Sequence, residues 1–360
     1  MKIALVHDHL TQEGGAEKVL RVLHDVFPDS PIYTLVYDKK KMDTDMHDKK
    51  VVPSFLQKWP LGVRKYQWFL MWMPAATESY NLDNFDLVIS SSSAFAKGII
   101  TKPQTKHICY CHTPTRYLWT DSQTYVQGLN QNRLIKKFIP FALSKLRLWD
   151  KIAADRVDLF IANSNTVKKR IKKYYGKDSQ VIFPPVETSK YNISNEVQNY
   201  FLAGGRLVPY KRFDLIVTAF NRLNMQLKIF GTGPDYKRLK KMAKKNIQFE
   251  GNVSEEQKAK LYSQCKAYIN PQEEDFGITA VEAMAAGRPV LAFKSGGALD
   301  TVIENKTGLF FSRQNWEDLA YKILHFNKFQ FNPHEIREHA RQFDVEVFKD
   351  KVKQLVIGTY

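Results

Sequence analysis

The segment "AYINPQEEDFGITAVEAMAAG", Ala267 to Gly287, passes from a short apolar run through an acidic stretch to small residues with a Gly-Arg-Pro stop. It reads as a strand ending at about Pro271, a loop, and a helix beginning near Phe276 or Gly277. Ligands of open α/β sheets bind at the carboxyl ends of strands, so the loop would bring Glu274 into a binding region. Glu282 lies further along the same helix, and one ligand could touch both carboxylates. Gly277 would let backbone amides approach a ligand closely, and a helix start with its unpaired N–H groups favours a phosphate. A carboxylate accepts hydrogen bonds from neighbouring hydroxyls, as on a ribose or a hexose. Together these suggest a sugar nucleotide; an ordinary acidic helix N-terminus is the alternative for the two glutamates alone.

Working outward, short apolar runs recur between longer helix-like segments: "KIALV", "IYTLV", "DLVIS", "KHICY", "DLFIAN" and "VIF". This alternation is the signature of a doubly wound parallel sheet. After "PPVETSKYNISNEVQN" the rhythm restarts with "YFLAG", "LKIFG", "IQFEG", "AYINP" and "PVLAF". The expected fold class is therefore α/β with two Rossmann-like domains, 1–183 and 200–344, joined by a linker at 184–199. Two such sheets facing each other would line one cleft with their strand ends. The C-terminal "FDVEVFKDKVKQLV" reads as an amphipathic helix, within 345–360, that could pack back on the first domain.

A length of 360 residues suits two domains, and 44% hydrophobic with 25% charged residues is the composition of a soluble globular protein. No run of about 18 apolar residues occurs, and "MKIALVHDHL" is a strand rather than a signal peptide, so a cytoplasmic location is expected. Three cysteines make no disulfide framework. The net charge of +17 calls for an anionic partner, which charge alone leaves open as nucleic acid, acidic membrane or phosphorylated substrate. The segment "FLQKWPLGVRKYQWFLMWMPAA", 55–76, mixes aromatics with Lys58, Arg64 and Lys65. That suits a membrane interface, or a core helix with a basic outer face.

"GGRLVPYKRFD" follows the first strand of the second domain and sets Arg206 and Lys211 five residues apart around a proline turn. Two fixed cations there would hold a diphosphate leaving group; solvated basic residues of a turn are the alternative. In "EGGAEK", Gly14 and Gly15 follow the first strand, and a helix start there could approach donor phosphates or an acceptor. The spacing is not G-x-G-x-x-G, which disfavours a dinucleotide oxidoreductase. "CYCHTPTRYLW" offers Cys109, Cys111 and His112, but a structural zinc needs four ligands and no second pair lies at a suitable spacing. No metal is expected, and the two cysteines read as buried thiols on one strand face. Arg116 could meet phosphate or acceptor, or a surface salt bridge. His7 and His9, flanking Asp8, could orient an acceptor hydroxyl or close a loop. Ser164 reads as the N-cap of the basic helix in "VKKRIKKYYGK".

"EDFGITAVE", "GRLVPYKRFD", "FGTGPD" and "SGGALDTVIENKTGLFF", in that fold setting, are similar to the retaining nucleotide-sugar glycosyltransferases of family 4, which have the GT-B fold. Glu274 and Glu282 match that family's E-x7-E motif. "HDHLTQEGGAEKVL" and "ICYCHTPTRYLW" resemble its mannosyltransferase-like branch, which builds bacterial surface polysaccharides such as lipopolysaccharide. The resemblance implies that Glu282 binds the nucleotide ribose, that Glu274 lies beside the donor sugar, and that Arg206 and Lys211 hold the diphosphate. It places Phe276, Gly277 and Ile278 at the donor-binding helix start, lets Gly231 and Gly233 bring the chain close to the base, and sets His112 in the donor-sugar pocket. It implies no obligatory cofactor or metal, GDP-mannose as donor with a UDP-sugar as the alternative, and a polyprenyl-diphosphate-linked glycan as acceptor. The enzyme would then be peripheral at the inner face of an anionic cytoplasmic membrane. Asp300 stands where many relatives have Glu, and Asn305 where many have Gly. A nucleotide-sugar epimerase is the nearer rival, against which the E-x7-E pattern argues. A nucleic-acid-binding protein is the more distant one, and the chain lacks a recognition helix, aromatic sheet motif or zinc finger pattern.

Overall fold

Strands β1 (Ile3–His7), β2 (Ile32–Thr34), β3 (Val51–Pro53), β4 (Leu87–Ser92), β5 (Lys106–Cys111), β6 (Leu159–Ala162) and β7 (Ser179–Val181) form one parallel sheet in the order β3-β2-β1-β4-β5-β6-β7. A second parallel sheet has the order β10-β9-β8-β11-β12-β13. Its strands are β8 (Phe201–Gly204), β9 (Leu227–Phe230), β10 (Ile247–Gly251), β11 (Tyr268–Asn270), β12 (Val290–Phe293) and β13 (Gly308–Phe311). The coordinates are a computed structural model that describes residues 1–120, 122 and 133–359. The chain divides into Met1–Phe183 with Lys349–Tyr360, and Pro184–Phe348.

Both sheets carry helices on their faces, which is why their strands are near-continuous apolar runs rather than alternating ones. All six residues of β4 are buried. Strand order reverses between β1 and β4 in the first sheet and between β8 and β11 in the second. These switch points are where open α/β sheets leave a crevice at their carboxyl ends. The expected strands are present, the last of the first sheet lying slightly earlier than "VIF"; β3 and β13 are additions. Cys109 and Cys111 face one core cluster with Phe160, Val167 and Ile171.

Three expectations need correction or sharpening. Residues 184–199 are no free linker: they fall within the second unit, where Val186 N–H donates to Phe343 O at 2.9 Å and Tyr191 is buried. Helix Val345–Thr359 exists, and its residues from Lys349 onward belong with the first unit. Segment 55–76 is not one amphipathic helix. It runs through 3₁₀ turns at Phe55–Lys58 and Tyr66–Trp72 into the short helix Met73–Glu78. Pro60 and the left-handed Leu61 (φ 61°) interrupt any longer helix. Leu56, Met73 and Ala76 enter a core cluster against which Trp59, Tyr66 and Phe69 pack, while Trp68 (65% exposed) and Trp72 (54%) stay at the surface. Part of the aromatic set is therefore core, and part is exposed.

The first unit also holds a buried ionic hub that no local pattern announced. Asp150, on helix Arg133–Asp155, accepts from Lys97 Nζ (2.5 Å), Thr115 Oγ1 (2.7 Å), Trp119 Nε1 (2.8 Å) and the Tyr175 hydroxyl (2.8 Å). Both ions are about 1% exposed, so this charge pair is tolerable only because the carboxylate is so fully hydrogen-bonded.

Candidate functional site

At the switch point of the second sheet, the loop after β8 and the loop after β11 bring opposite charges together. Lys211 Nζ lies 2.8 Å from Glu274 Oε1, with both side chains largely covered. Burial disfavours the ammonium, but the Glu274 carboxylate outweighs it and holds the Lys211 pKa above the ordinary lysine value. Arg206 is exposed in the same loop, ahead of the 3₁₀ turn Pro209–Lys211. Gly277 caps helix Ile278–Ala285 at φ 96°, a conformation that side-chain-bearing residues rarely adopt. A Cβ there would lie 3.4 Å from Glu274 Oε2, so the carboxylate sits beside the helix start. Ile278 opens the helix half-buried. Phe276 is buried, its ring 5.5 Å from that of Phe343, and so anchors the loop in the core.

Glu282, further along the helix, is buried and accepts from Lys258 Nζ (3.3 Å) and the Tyr262 hydroxyl (3.1 Å), with Tyr191 also hydrogen-bonded to it. Burial disfavours the Lys258 ammonium, yet Glu282 and Glu255 keep its pKa raised. Sequence reading missed these partners, which come from helix Glu255–Gln264 and the turn near Thr188–Lys190. It also missed Asn270 and Gln272. Both are buried, and Asn270 Oδ1 and the two amide atoms of Gln272 have no hydrogen-bond partner among the described residues. Unmatched buried amides are costly, and here they cluster at the carboxyl end of β11.

Gly231 and Gly233 have a role inside the protein. A Cβ on Gly231 would fall 2.0 Å from Gly205 O, and one on Gly233 would fall 2.2 Å from Leu207 O. The "FGTGP" turn thus lies backbone to backbone against the loop that carries Arg206. Asn305 adopts φ 66°, a left-handed conformation that favours glycine and that asparagine tolerates.

At the switch point of the first sheet, Gly14 caps helix Gly15–Val26 and Glu17 lies in its first turn. A Cβ on Gly14 would be 2.9 Å from Glu17 Oε2, and the carboxylate bonds its own amide. A carboxylate of the chain itself thus lies at the helix start that donor phosphates or an acceptor were expected to approach. In "HDH", Asp8 accepts from the amides of Ser93, Ala94, Phe95 and Ala96 at 2.6 to 3.0 Å, so it closes a loop. His7, expected at an acceptor, is buried with its nitrogens toward Ser91 and Glu17. His9 is half-buried with its ring 4.9 Å from that of Tyr66. His112 follows β5, bonded to Ser91, and Arg116 is half-buried in the next turn. Ser164 accepts from Val167 N–H at 3.1 Å as the N-cap of helix Asn165–Tyr175.

Residues 14–190 match the family profile described as Glycosyltransferase Family 4, and residues 187–343 match Glycosyl transferases group 1. An uncharacterized glycosyltransferase of Methanocaldococcus jannaschii, MJ1178, is 31% identical over 186 residues, covering 50% of this chain and 52% of that protein. The GDP-mannose-dependent alpha-(1-6)-phosphatidylinositol monomannoside mannosyltransferase of Mycobacterium tuberculosis is 29% identical over 203 residues, covering 48% and 52%. The chain thus matches about half the length of these curated relatives. Among solved structures, HepE of Anabaena in complex with UDP superposes at a TM-score of 0.73 with 18% identity, covering 99% of this chain and 100% of that one. The chain is accordingly similar to Glycosyltransferase Family 4 over its first part and to Glycosyl transferases group 1 over its second, on the fold of two parallel-sheet α/β units that GT-B glycosyltransferases have.

Proposed function

We propose that the protein is a retaining glycosyltransferase that moves a hexose from a nucleotide sugar to a hydroxyl of a glycan acceptor. The observation that carries this reading is the Lys211–Glu274 pair beside the Gly277 helix start: a cation for the diphosphate and a carboxylate for sugar hydroxyls, within one ion-pair distance. Arg206 and Lys211 hold the diphosphate, with the amides of Gly277 and Ile278 at the helix start. Glu282, an ionised carboxylate that can accept several hydrogen bonds, takes a ribose hydroxyl. The acceptor hydroxyl attacks the anomeric carbon on the face the leaving group departs from. The glycosidic bond to phosphate breaks as the new one forms, and the leaving phosphate oxygen takes the acceptor proton. Positioning and charge stabilisation supply the rate.

The donor proposed is GDP-mannose, on the likeness to the mycobacterial enzyme; a UDP-hexose is the second reading, on the likeness to the UDP-bound HepE. The acceptor proposed is a polyprenyl-diphosphate-linked glycan of bacterial surface polysaccharide synthesis. A peripheral membrane location follows from that acceptor and from exposed Trp68 and Trp72. Among the described residues no helix is long and apolar enough to cross a membrane. Incubating the pure protein with GDP-mannose or UDP-hexoses without acceptor tests the reading. Slow release of free sugar is expected, whereas a changed sugar nucleotide would identify an epimerase and no turnover would favour a binding protein.

A further inference from the structure

Four polar groups touch in sequence at the switch point of the first sheet. His7 at the end of β1 is the direct register partner of Ser91 on β4, so the two side chains share a sheet face. His7 Nδ1 lies 3.1 Å from Ser91 Oγ, and Ser91 Oγ lies 2.8 Å from His112 Nε2. On the other side of His7, its Nε2 lies 3.8 Å from Glu17 Oε1. His7, Glu17 and Ser91 are all buried, and His112 keeps 9% of its surface open.

A serine hydroxyl has one proton to give, which couples the two rings it joins. With His7 neutral, the Glu17 carboxylate draws the ring proton to Nε2 and leaves Nδ1 a lone pair. Ser91 must then donate to His7 Nδ1, and its own lone pair turns to His112. His112 Nε2 must therefore carry a proton, and its Nδ1 is bare. We infer that Glu17, His7 and Ser91 are positioning residues that hold His112 as the Nε2–H tautomer, so that its Nδ1 accepts a hydrogen bond from a hydroxyl of a sugar ligand. The sugar clause rests on the transferase reading, and the proton order does not. A bare nitrogen selects a hydroxyl, which can donate, over a phosphate or carbonyl oxygen, which only accepts. Burial pushes the His112 pKa down to about 4, so the ring remains neutral at physiological pH.

Nitrogen NMR of the full chain labelled at histidine, at mildly alkaline pH, reads this directly without any substitution. The expected spectrum shows His112 protonated at Nε2 and bare at Nδ1. Ser91→Ala should release His112 to a mixture of tautomers. Glu17→Gln, whose amide can donate to His7 Nε2, should move His112 toward Nδ1–H although residue 17 makes no hydrogen bond to it. A His112 proton on Nδ1 in the unsubstituted protein, or a tautomer indifferent to both substitutions, overturns the proton order whatever the protein catalyses. Titration with GDP-mannose and with UDP-glucose, against GDP and UDP, then tests the ligand. A sugar-dependent shift at Nδ1 with either donor is expected, and the expected tautomer with no response to either sugar overturns the sugar clause alone.

Discussion

Lys211 and Glu274 pair at 2.8 Å across the switch point of the second sheet, each engaged by the other where a donor would engage both. Glu274→Gln should release Lys211 for phosphate and tighten GDP or UDP binding by about three- to tenfold, the worth of a partly covered ion pair near 1 kcal/mol. The same change should slow sugar transfer by about a hundredfold, since the carboxylate no longer meets the sugar. Calorimetry with the nucleotides beside initial rates checks the opposite signs; weaker nucleotide binding would remove Lys211 from the diphosphate site.

Gln272 offers a separation of stability from binding. Its buried amide has no hydrogen-bond partner among the described residues, and such a group costs roughly 1 to 3 kcal/mol. Gln272→Met should therefore leave the melting temperature unchanged or raise it while weakening the donor. A thermal melt with and without nucleotide sugar reports both, and a simple loss of stability would make Gln272 structural.

Asp150→Asn removes the charge that answers buried Lys97 and should destabilise the first unit by about 3 to 5 kcal/mol. The double change Lys97→Met with Asp150→Leu should cost less than the single one, because no uncompensated ion remains. Urea unfolding midpoints decide between these orders.

Two buried histidines set an acid limit. Burial pushes His107 down to about 3 and His112 to about 4, against about 6.5 for an unfolded histidine. Between about pH 6.5 and 4 the unfolded chain binds more protons, so stability is complete above that window and falls as pH drops through it. Each ring contributes up to about 1.4 kcal/mol per pH unit there. His107→Gln should flatten the dependence in urea titrations compared at pH values on either side of the window.

Trp68 and Trp72 stand exposed, with Lys65 Nζ 4.0 Å over the Trp68 ring, and the helix Asn165–Tyr175 adds Lys172 and Lys173. Binding to anionic vesicles should be salt-sensitive, at about 1 kcal/mol per basic residue near the surface. Replacing Trp68, Trp72, Lys172 and Lys173 should abolish flotation while turnover of a short soluble acceptor survives. Equal flotation with neutral vesicles would leave the charge as a matter of solubility.

The second unit's site was legible because its chemistry is local: Gly277, Glu274 and Glu282 lie within one strand-loop-helix unit, and Arg206 and Lys211 within one turn. The first unit's was not. His7 and Ser91 are 84 residues apart, and Ser91 lies in a run of four serines whose alternation tells two faces but not which one meets a histidine. "HDH" drew attention to its outer residues, whereas Asp8 caps a turn far along the chain. Asp150 and Lys97, 53 positions apart, carry no pattern at all. Aromatic content in 55–76 was plain, but 3₁₀ turns broken at Leu61 follow no single period that would sort core from surface.

The backbone contact of Gly231 with Gly205, and of Gly233 with Leu207, alters how substitutions in "FGTGP" should be understood. A methyl group at either position has to displace the neighbouring strand-end loop, and Arg206 lies between those two contact points. Kinetic defects from an alanine scan of this turn would then arise from a displaced Arg206 loop as well as from any lost approach to the base, and the two would need separate readouts.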